Sequence, residues 1–278
     1  MNYFVKIAGV GVGVCMLVSA CGGNSVEDNQ QVTSVQARSL AYSRQAVLAV
    51  AGAYLRVGMS VETGVCKDPV FNMVQSTPEQ AVINCTVTAT GEQPLSIRAA
   101  NGKLLFSTTV NVPQPQVNLV TSLGSITVEL NPAAAPVSVN NFLSYASTGY
   151  YNNTLFHRVI AGFVAQGGGY TQGVVKKPGQ RAAITLESNN GLLNERNTLA
   201  MARTNEPNSA TSEFFINLAD NRSLDYQSTV SPGYAVFGKV VKGMEVVEKI
   251  AAAQTSSNNG FSNVPVTDIT ILLALQVN

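Results

Sequence analysis

Four short blocks concentrate the side chains able to do chemistry. The first, Leu155-Phe156-His157-Arg158-Val159-Ile160-Ala161-Gly162-Phe163-Val164-Ala165-Gln166-Gly167-Gly168-Gly169, sets an arginine and the chain's one histidine among aromatic and apolar neighbours. The others are Asn197-Thr198-Leu199-Ala200-Met201-Ala202-Arg203, Ser212-Glu213-Phe214-Phe215-Ile216-Asn217 and Tyr234-Ala235-Val236-Phe237-Gly238-Lys239-Val240. Arg158 offers a permanent charge on a rigid donor fork, suited to stabilising a lone pair or charge that develops during a reaction. A surface strand arginine is the plainer reading, and the flanking aromatic cluster weighs against it. His157 is the sole ordinary general base, but no Gly-x-Ser-x-Gly elbow accompanies it, so a structural histidine behind the arginine strand is expected. Gly167-Gly168-Gly169 lacks the following Lys-Ser/Thr of a phosphate loop and reads as backbone freedom at a sharp turn. One histidine and four cysteines argue against a multi-ligand zinc site, and no metal or cofactor is expected.

In order and spacing the four blocks resemble cyclophilin, the peptidyl-prolyl cis–trans isomerase family, and most closely its exported bacterial members. The resemblance runs from about Val117 to the C-terminus. It implies Arg158, Phe163 and Gln166 as catalytic residues. It implies His157, Val164, Ala202, Arg203, Glu213, Phe215, Leu224 and Tyr234 as the substrate-binding set, with proline-containing polypeptides as clients. The residue types suit that chemistry. Rotation about a peptide C–N bond faces about 18–20 kcal/mol because amide resonance is lost. In the twisted state the prolyl nitrogen regains its lone pair, and a donor fixed there favours that state over either planar form. Phe163, Phe215, Leu224 and Val164 match the family's apolar wall, Val164 standing at a slot usually filled by Met. Read alone, such residues are ordinary core. Gln166 would hold the substrate backbone, and Ala202-Arg203 matches the stretch that cradles it.

The chain departs from the family's pattern at several of these positions. Arg203 replaces an Asn common in eukaryotic members, and Tyr234 stands where many have His. Glu213 replaces the usual Gln; if its carboxylate reaches Arg158 it competes with substrate, and Glu213→Gln is expected to raise kcat/KM. Ser223 stands where an aromatic is common, which should open one pocket wall and weaken cyclosporin-type inhibition.

The elements that must position these side chains are mostly strands. Val117 to Thr121 and Ile126 to Leu130 alternate with period two around Leu123-Gly124, a hairpin. Strand-like runs follow at 154–160, 163–166, 198–202, 213–217, 235–241 and 268–275. Helices are expected at Ser138 to Ala146, after Pro136, and at Met244 to Ala252, with Val247, Ile250 and Ala251 on one face. Many strands and two helices predict a mainly β fold, a closed antiparallel eight-stranded barrel capped by two helices.

Ahead of this unit, 116–278, lies Pro113-Gln114-Pro115, a stiff linker. Residues 37–112 read as short strands and turns, with a tight Asn101-Gly102 hairpin turn, and predict a small Ig-like β-sandwich. Residues 21–36 are polar and Gly/Asn/Gln-rich and read as a flexible tether. Residues 1–20 hold Lys6 and then an uncharged run, Ile7 to Ala20, shorter than the roughly 20 residues of a membrane span. They read as a secretory signal. Val18-Ser19-Ala20-Cys21 resembles the lipobox of bacterial lipoproteins, which implies acylation of Cys21, a membrane anchor and, with Gly22 following, outer-membrane sorting with the chain facing the periplasm. Cys66 and Cys85 then remain as a pair, expected to be disulfide-bonded outside the cytoplasm. A net charge of +1, with only 12% charged residues and no basic block, argues against nucleic-acid binding. An exported isomerase is the leading reading. A non-catalytic module that grips proline segments is the alternative. Oligomeric state is not fixed by the sequence.

Overall fold

A computed structural model describes residues 29–55 and 58–278. The signal, the lipobox and Cys21 lie outside the described residues. The N-terminal unit is built from β1 (Gln31–Arg38), β2 (Gln45–Ala53), β3 (Ser60–Thr63), β4 (Cys66–Phe71), β5 (Gln80–Val87), β6 (Gly91–Arg98) and β7 (Leu104–Val112). They form two antiparallel sheets, ordered β1-β2-β5-β4 and β3-β6-β7. Alternation supplies the shared core: Ala46, Leu48 and Val50 of β2, Ala81, Ile83 and Cys85 of β5, and Leu95 and Ile97 of β6 are buried together. Cys66 and Cys85 form a disulfide between neighbouring strands of one sheet, Cα atoms 5.6 Å apart. The turn after β6 places Gly102 at φ +86°, where a side chain would strain.

The tether reading fails from residue 31 onward. β1 is an edge strand, and its Val32, Val35 and Ala37 pack on the core. A register shift between Val32 and Ser34 breaks the period-two pattern, which hid the strand among polar residues.

The C-terminal unit comprises β8 (Gln116–Thr121), β9 (Gly124–Leu130), α1 (Pro136–Ser147), β10 (Thr154–Leu155), β11 (Arg158–Ile160), β12 (Val164–Gly167), β13 (Tyr170–Thr171), β14 (Val175–Lys176), β15 (Thr198–Met201), β16 (Phe214–Asn217), β17 (Val236–Lys242), α2 (Met244–Ala251), β18 (Thr255–Asn258), β19 (Phe261–Pro265) and β20 (Thr270–Gln276). Nine strands form one curled sheet, ordered β10-β20-β8-β9-β17-β15-β16-β12-β11. This corrects the closed eight-stranded barrel. The sheet's two edges, β10 and β11, are consecutive in sequence, so the sheet must curl round to meet itself, but no ladder joins them. The run read as one strand, 154–160, is broken at Phe156-His157. Thr154 to His157 are four buried residues in succession, which a strand with one face outward cannot supply.

An aromatic core fills the curl, with Phe142 of α1 edge-on to Phe214 (5.3 Å, 87°) and 5.1 Å from Tyr151. Pro136 opens α1, as its missing N–H allows. No local side chain caps the helix. Glu187 does so from across the fold, accepting from the N–H groups of Val137 (2.9 Å) and Ser138 (2.8 Å). In α2 the buried face is Val246, Val247 and Ile250, so Val246 takes the place expected for Ala251. The units meet where Tyr42 joins the C-terminal unit's core and Arg44 Nε donates to Gln276 Oε1 at 3.1 Å.

Candidate functional site

Strand alternation splits the sheet's residues between two faces. Val159, Ala165, Leu199, Met201, Phe214, Ile216 and Phe237 enter the aromatic core. Their neighbours Val164, Ala200, Phe215 and Val236 form a second apolar cluster, against which Phe163, Ala202, Leu224 and Tyr234 pack. Register then aligns the strands. Arg158 is paired with Gln166, Gln166 with Phe215, Phe215 with Ala200, and Ala200 with Val236, one continuous row across β11, β12, β16, β15 and β17. A cation, an amide and an apolar floor are thereby set side by side from residues up to 78 positions apart.

Over this row lies a cavity of about 290 Å³, lined by Arg158, Phe163, Val164, Gln166, Ala202, Arg203, Phe215, Leu224 and Tyr234. Its size suits one side chain better than a large ligand. Phe163 closes the β11–β12 hairpin, where Gly162 at φ +71° makes the turn. Leu224 sits on a 3₁₀ turn, Arg222–Leu224. Tyr234 stands edge-on to Phe215 at 5.6 Å, and the Arg203 guanidinium lies 4.6 Å from the centre of the Tyr234 ring. Arg203 Nε also donates to the Gly233 carbonyl at 2.9 Å, so a side chain expected to cradle substrate is itself held at the rim.

The expected site residues divide here. Nine of them line this cavity; His157 and Glu213 do not. Glu213 lines an adjoining space of about 200 Å³, with Lys176, Gln180 and Thr211, which shares Gln166, Ala202 and Arg203 with the first. Among the described residues no ion pair joins Glu213 to Arg158. Its Oε2 instead accepts from Gln166 Nε2 at 2.9 Å and lies 3.4 Å from His157 Nε2, while Arg158 Nη1 donates to Gln166 Oε1 at 3.3 Å. The gain expected from Glu213→Gln by relieving competition for Arg158 thus loses its basis. Burial pushes the Glu213 carboxyl up, but His157, Gln166 and Lys176 together outweigh it and hold the group below the usual carboxylate range. His157 is 2% exposed, its ring centre 4.5 Å from that of Tyr170; only its Nε2 faces a polar partner, Glu213, and its Nδ1 has none. Ser223 is exposed and does not line the cavity.

Of the three glycines 167–169, Gly168 sits at φ +86°, and a Cβ on Gly169 would stand 2.5 Å from Glu213 Cγ. The run therefore provides a turn and the close approach of Glu213.

Sequence reasoning missed the polar network behind the wall. Asn221 Nδ2 donates to the Phe163 carbonyl (2.8 Å) and to Asn217 Oδ1 (2.7 Å), and Asn217 Nδ2 to Asn194 Oδ1 (3.1 Å). Asn194 Nδ2 donates to the Leu224 carbonyl at 3.0 Å and to Asp225 at 3.0 Å. These buried amides fix two walls of the cavity from behind. Their only sequence signal is an asparagine ending an apolar strand, Phe214-Phe215-Ile216-Asn217. Among the described residues no three His, Cys, Asp or Glu side chains converge as a metal site.

Residues 116–274 match the family described as Cyclophilin type peptidyl-prolyl cis-trans isomerase/CLD. Peptidyl-prolyl cis-trans isomerase A of Dickeya dadantii is 51% identical over 155 residues, 56% of this chain and 80% of that protein. Peptidyl-prolyl cis-trans isomerase B of Escherichia coli is 46% identical over 157 residues, 56% of this chain and 95% of that protein. The crystal structure of a Cryptosporidium parvum cyclophilin type peptidyl-prolyl cis-trans isomerase superposes with a TM-score of 0.50 at 26% identity, over 59% of this chain and 98% of that one.

Proposed function

The chain belongs to the cyclophilin type peptidyl-prolyl cis-trans isomerase family, and on that premise we propose that Arg158 drives X-Pro rotation by donating to the prolyl nitrogen over the apolar row. The observation that carries this is the row itself, which brings the guanidinium to the rim of a cavity floored by Val164 and Phe215. The proline ring enters between Phe163, Phe215 and Leu224, leaving the residue before it free to turn. As resonance is lost the nitrogen pyramidalises, and a donor already in place meets the new lone pair without reorganising. No covalent intermediate forms. Gln166 holds Arg158 at 3.3 Å, and its amide keeps capacity for a substrate carbonyl or N–H.

The decisive measurement is turnover of an Ala-Pro peptide by the full chain and by Arg158→Ala. One charge-assisted contact to a developing lone pair contributes about 2–3 kcal/mol, so kcat/KM should fall about 30- to 160-fold. A variant as active as the parent sinks the mechanism.

The setting proposed for this activity is the cell envelope. The lipobox-like Val18-Ser19-Ala20-Cys21 supports anchoring through acylated Cys21, with the enzyme facing the periplasm from the outer membrane. The Cys66–Cys85 disulfide suits that oxidising compartment. The sheet orders β1-β2-β5-β4 and β3-β6-β7 support an Ig-like reading of the N-terminal unit, which would hold the catalytic unit off the membrane. Its disulfide bridges strands within one sheet, unlike the inter-sheet bridge of antibody domains. Clients are then exported polypeptides whose folding waits on X-Pro bonds. Mass spectrometry of the mature N-terminus tests the anchor: an acylated Cys21 is expected, and an unmodified terminus overturns it.

A further inference from the structure

We infer that Glu213 is a positioning residue: it fixes the sense of the Gln166 amide, so that the amide oxygen faces Arg158, and it selects the nitrogen of His157 that carries the proton. The inference deepens the isomerase reading above and rests on it.

Donor and acceptor chemistry carries the argument. An ionised carboxylate only accepts and a guanidinium only donates. Gln166 lies between one of each, with Nε2 2.9 Å from Glu213 Oε2 and Oε1 3.3 Å from Arg158 Nη1. Turning the amide over would set NH₂ against the cation and oxygen against the anion, losing both bonds and adding two repulsions. Only one sense survives. A glutamine at 213 offers both an acceptor and a donor, and so imposes no sense of its own.

The same oxygen faces His157. Its Nε2 lies 3.4 Å away, while Nδ1 is buried without a partner on a ring that packs against Tyr170 and Phe261. A proton on Nδ1 would be an orphaned buried donor; on Nε2 it points at the carboxylate. Among the described residues Lys176 is a further charged neighbour, and the Tyr150 and Tyr170 phenols lie close enough to feel the carboxylate's charge. Two backbone features set the carboxylate's position: the missing Cβ of Gly169, and the bond from Ala202 N–H to the Glu213 carbonyl at 2.9 Å. Glu213 thus acts on Arg158 only through Gln166, and its loss should slow turnover more than it weakens binding.

The full chain is tested with ¹⁵N-labelled histidine, whose single residue gives one set of ring signals. The expected spectrum shows the proton on Nε2 and a bare Nδ1, and Glu213→Ala should shift it. On an Ala-Pro peptide, Glu213→Ala should lower kcat about tenfold, the loss of one hydrogen bond to a charged group, with KM within about twofold. Glu213→Gln restores an acceptor for Gln166 Nε2 and should bring kcat back to within about threefold of the parent. A parental kcat in Glu213→Ala overturns the inference, as does an Nδ1-protonated His157 in the parent chain, a reading that needs no variant to fold. A parent chain without catalysis would instead refute the isomerase reading, with the histidine spectrum still reporting on Glu213.

Discussion

Arg158, Gln166, Glu213 and His157 form a line in which every link is set by whether a group can donate, accept or do both. That determines how the site should respond to acid. Glu213 is largely buried and its carboxyl is held below the ordinary value, so the folded state prefers the ionised form. Its contribution to stability is fully present above the unfolded value and is lost as pH falls through the lower folded one. The stability gap between the parent and Glu213→Gln should therefore be present at pH 7 and shrink below about pH 4.5, the reference value for the carboxyl. Urea midpoints at pH 7 and pH 4 measure it; a gap that widens in acid contradicts the assignment. The family resemblance led us to expect Arg158, Gln166 and Glu213 in one site. It did not show that Glu213 would meet Gln166 in place of Arg158, because a direct pair and a bridged one use the same residue types.

The strand is the element that makes the site, since period-two alternation sends Phe214 and Ile216 inward and Phe215 outward from four consecutive residues. That split is legible in Phe214-Phe215-Ile216-Asn217 once the strand is known. The 3₁₀ turn bearing Leu224 is different, because its position depends on Asn194, Asn217 and Asn221. Asn217 is fully buried, and Asn217→Ala would leave its neighbours' polar atoms unpaired at a cost of about 1–3 kcal/mol. We expect a lower urea midpoint and a raised KM for Ala-Pro peptides as Phe163 and Leu224 lose their backing. An unchanged KM would show that the walls stand without the network. Composition could not reveal this, since asparagine is more often an exposed residue than part of such a buried frame. The cap of α1 by Glu187 escaped for a related reason: the carboxylate lies about 50 residues from the helix it serves.

At the scale of the molecule the two units share a seam. Tyr42, 5% exposed, packs into the core of the C-terminal unit, and Gln276 Nε2 donates to the Tyr42 carbonyl at 2.9 Å. Removing a buried aromatic ring costs about 3–5 kcal/mol, so Tyr42→Ala should lower the melting temperature and split a single calorimetric transition into two. A single unshifted transition would mean that the seam adds nothing to stability. Its active site lies on the sheet's other face, so isomerase activity at 25 °C should persist in this variant.

The sequence alone placed most strands through their alternation, and its four blocks carried a resemblance that pointed to the family and to nine residues that line the cavity; the Cys66–Cys85 pair it led us to expect is present as a disulfide. Tertiary structure decided that nine strands curl without a closing ladder, that β1 starts at Gln31 across a bulge, and that Glu213 reaches Arg158 only through Gln166. Those outcomes depend on which distant atoms end up within 3 Å of one another. Residue type sets what a group can donate or accept, and only the folded chain sets what it meets.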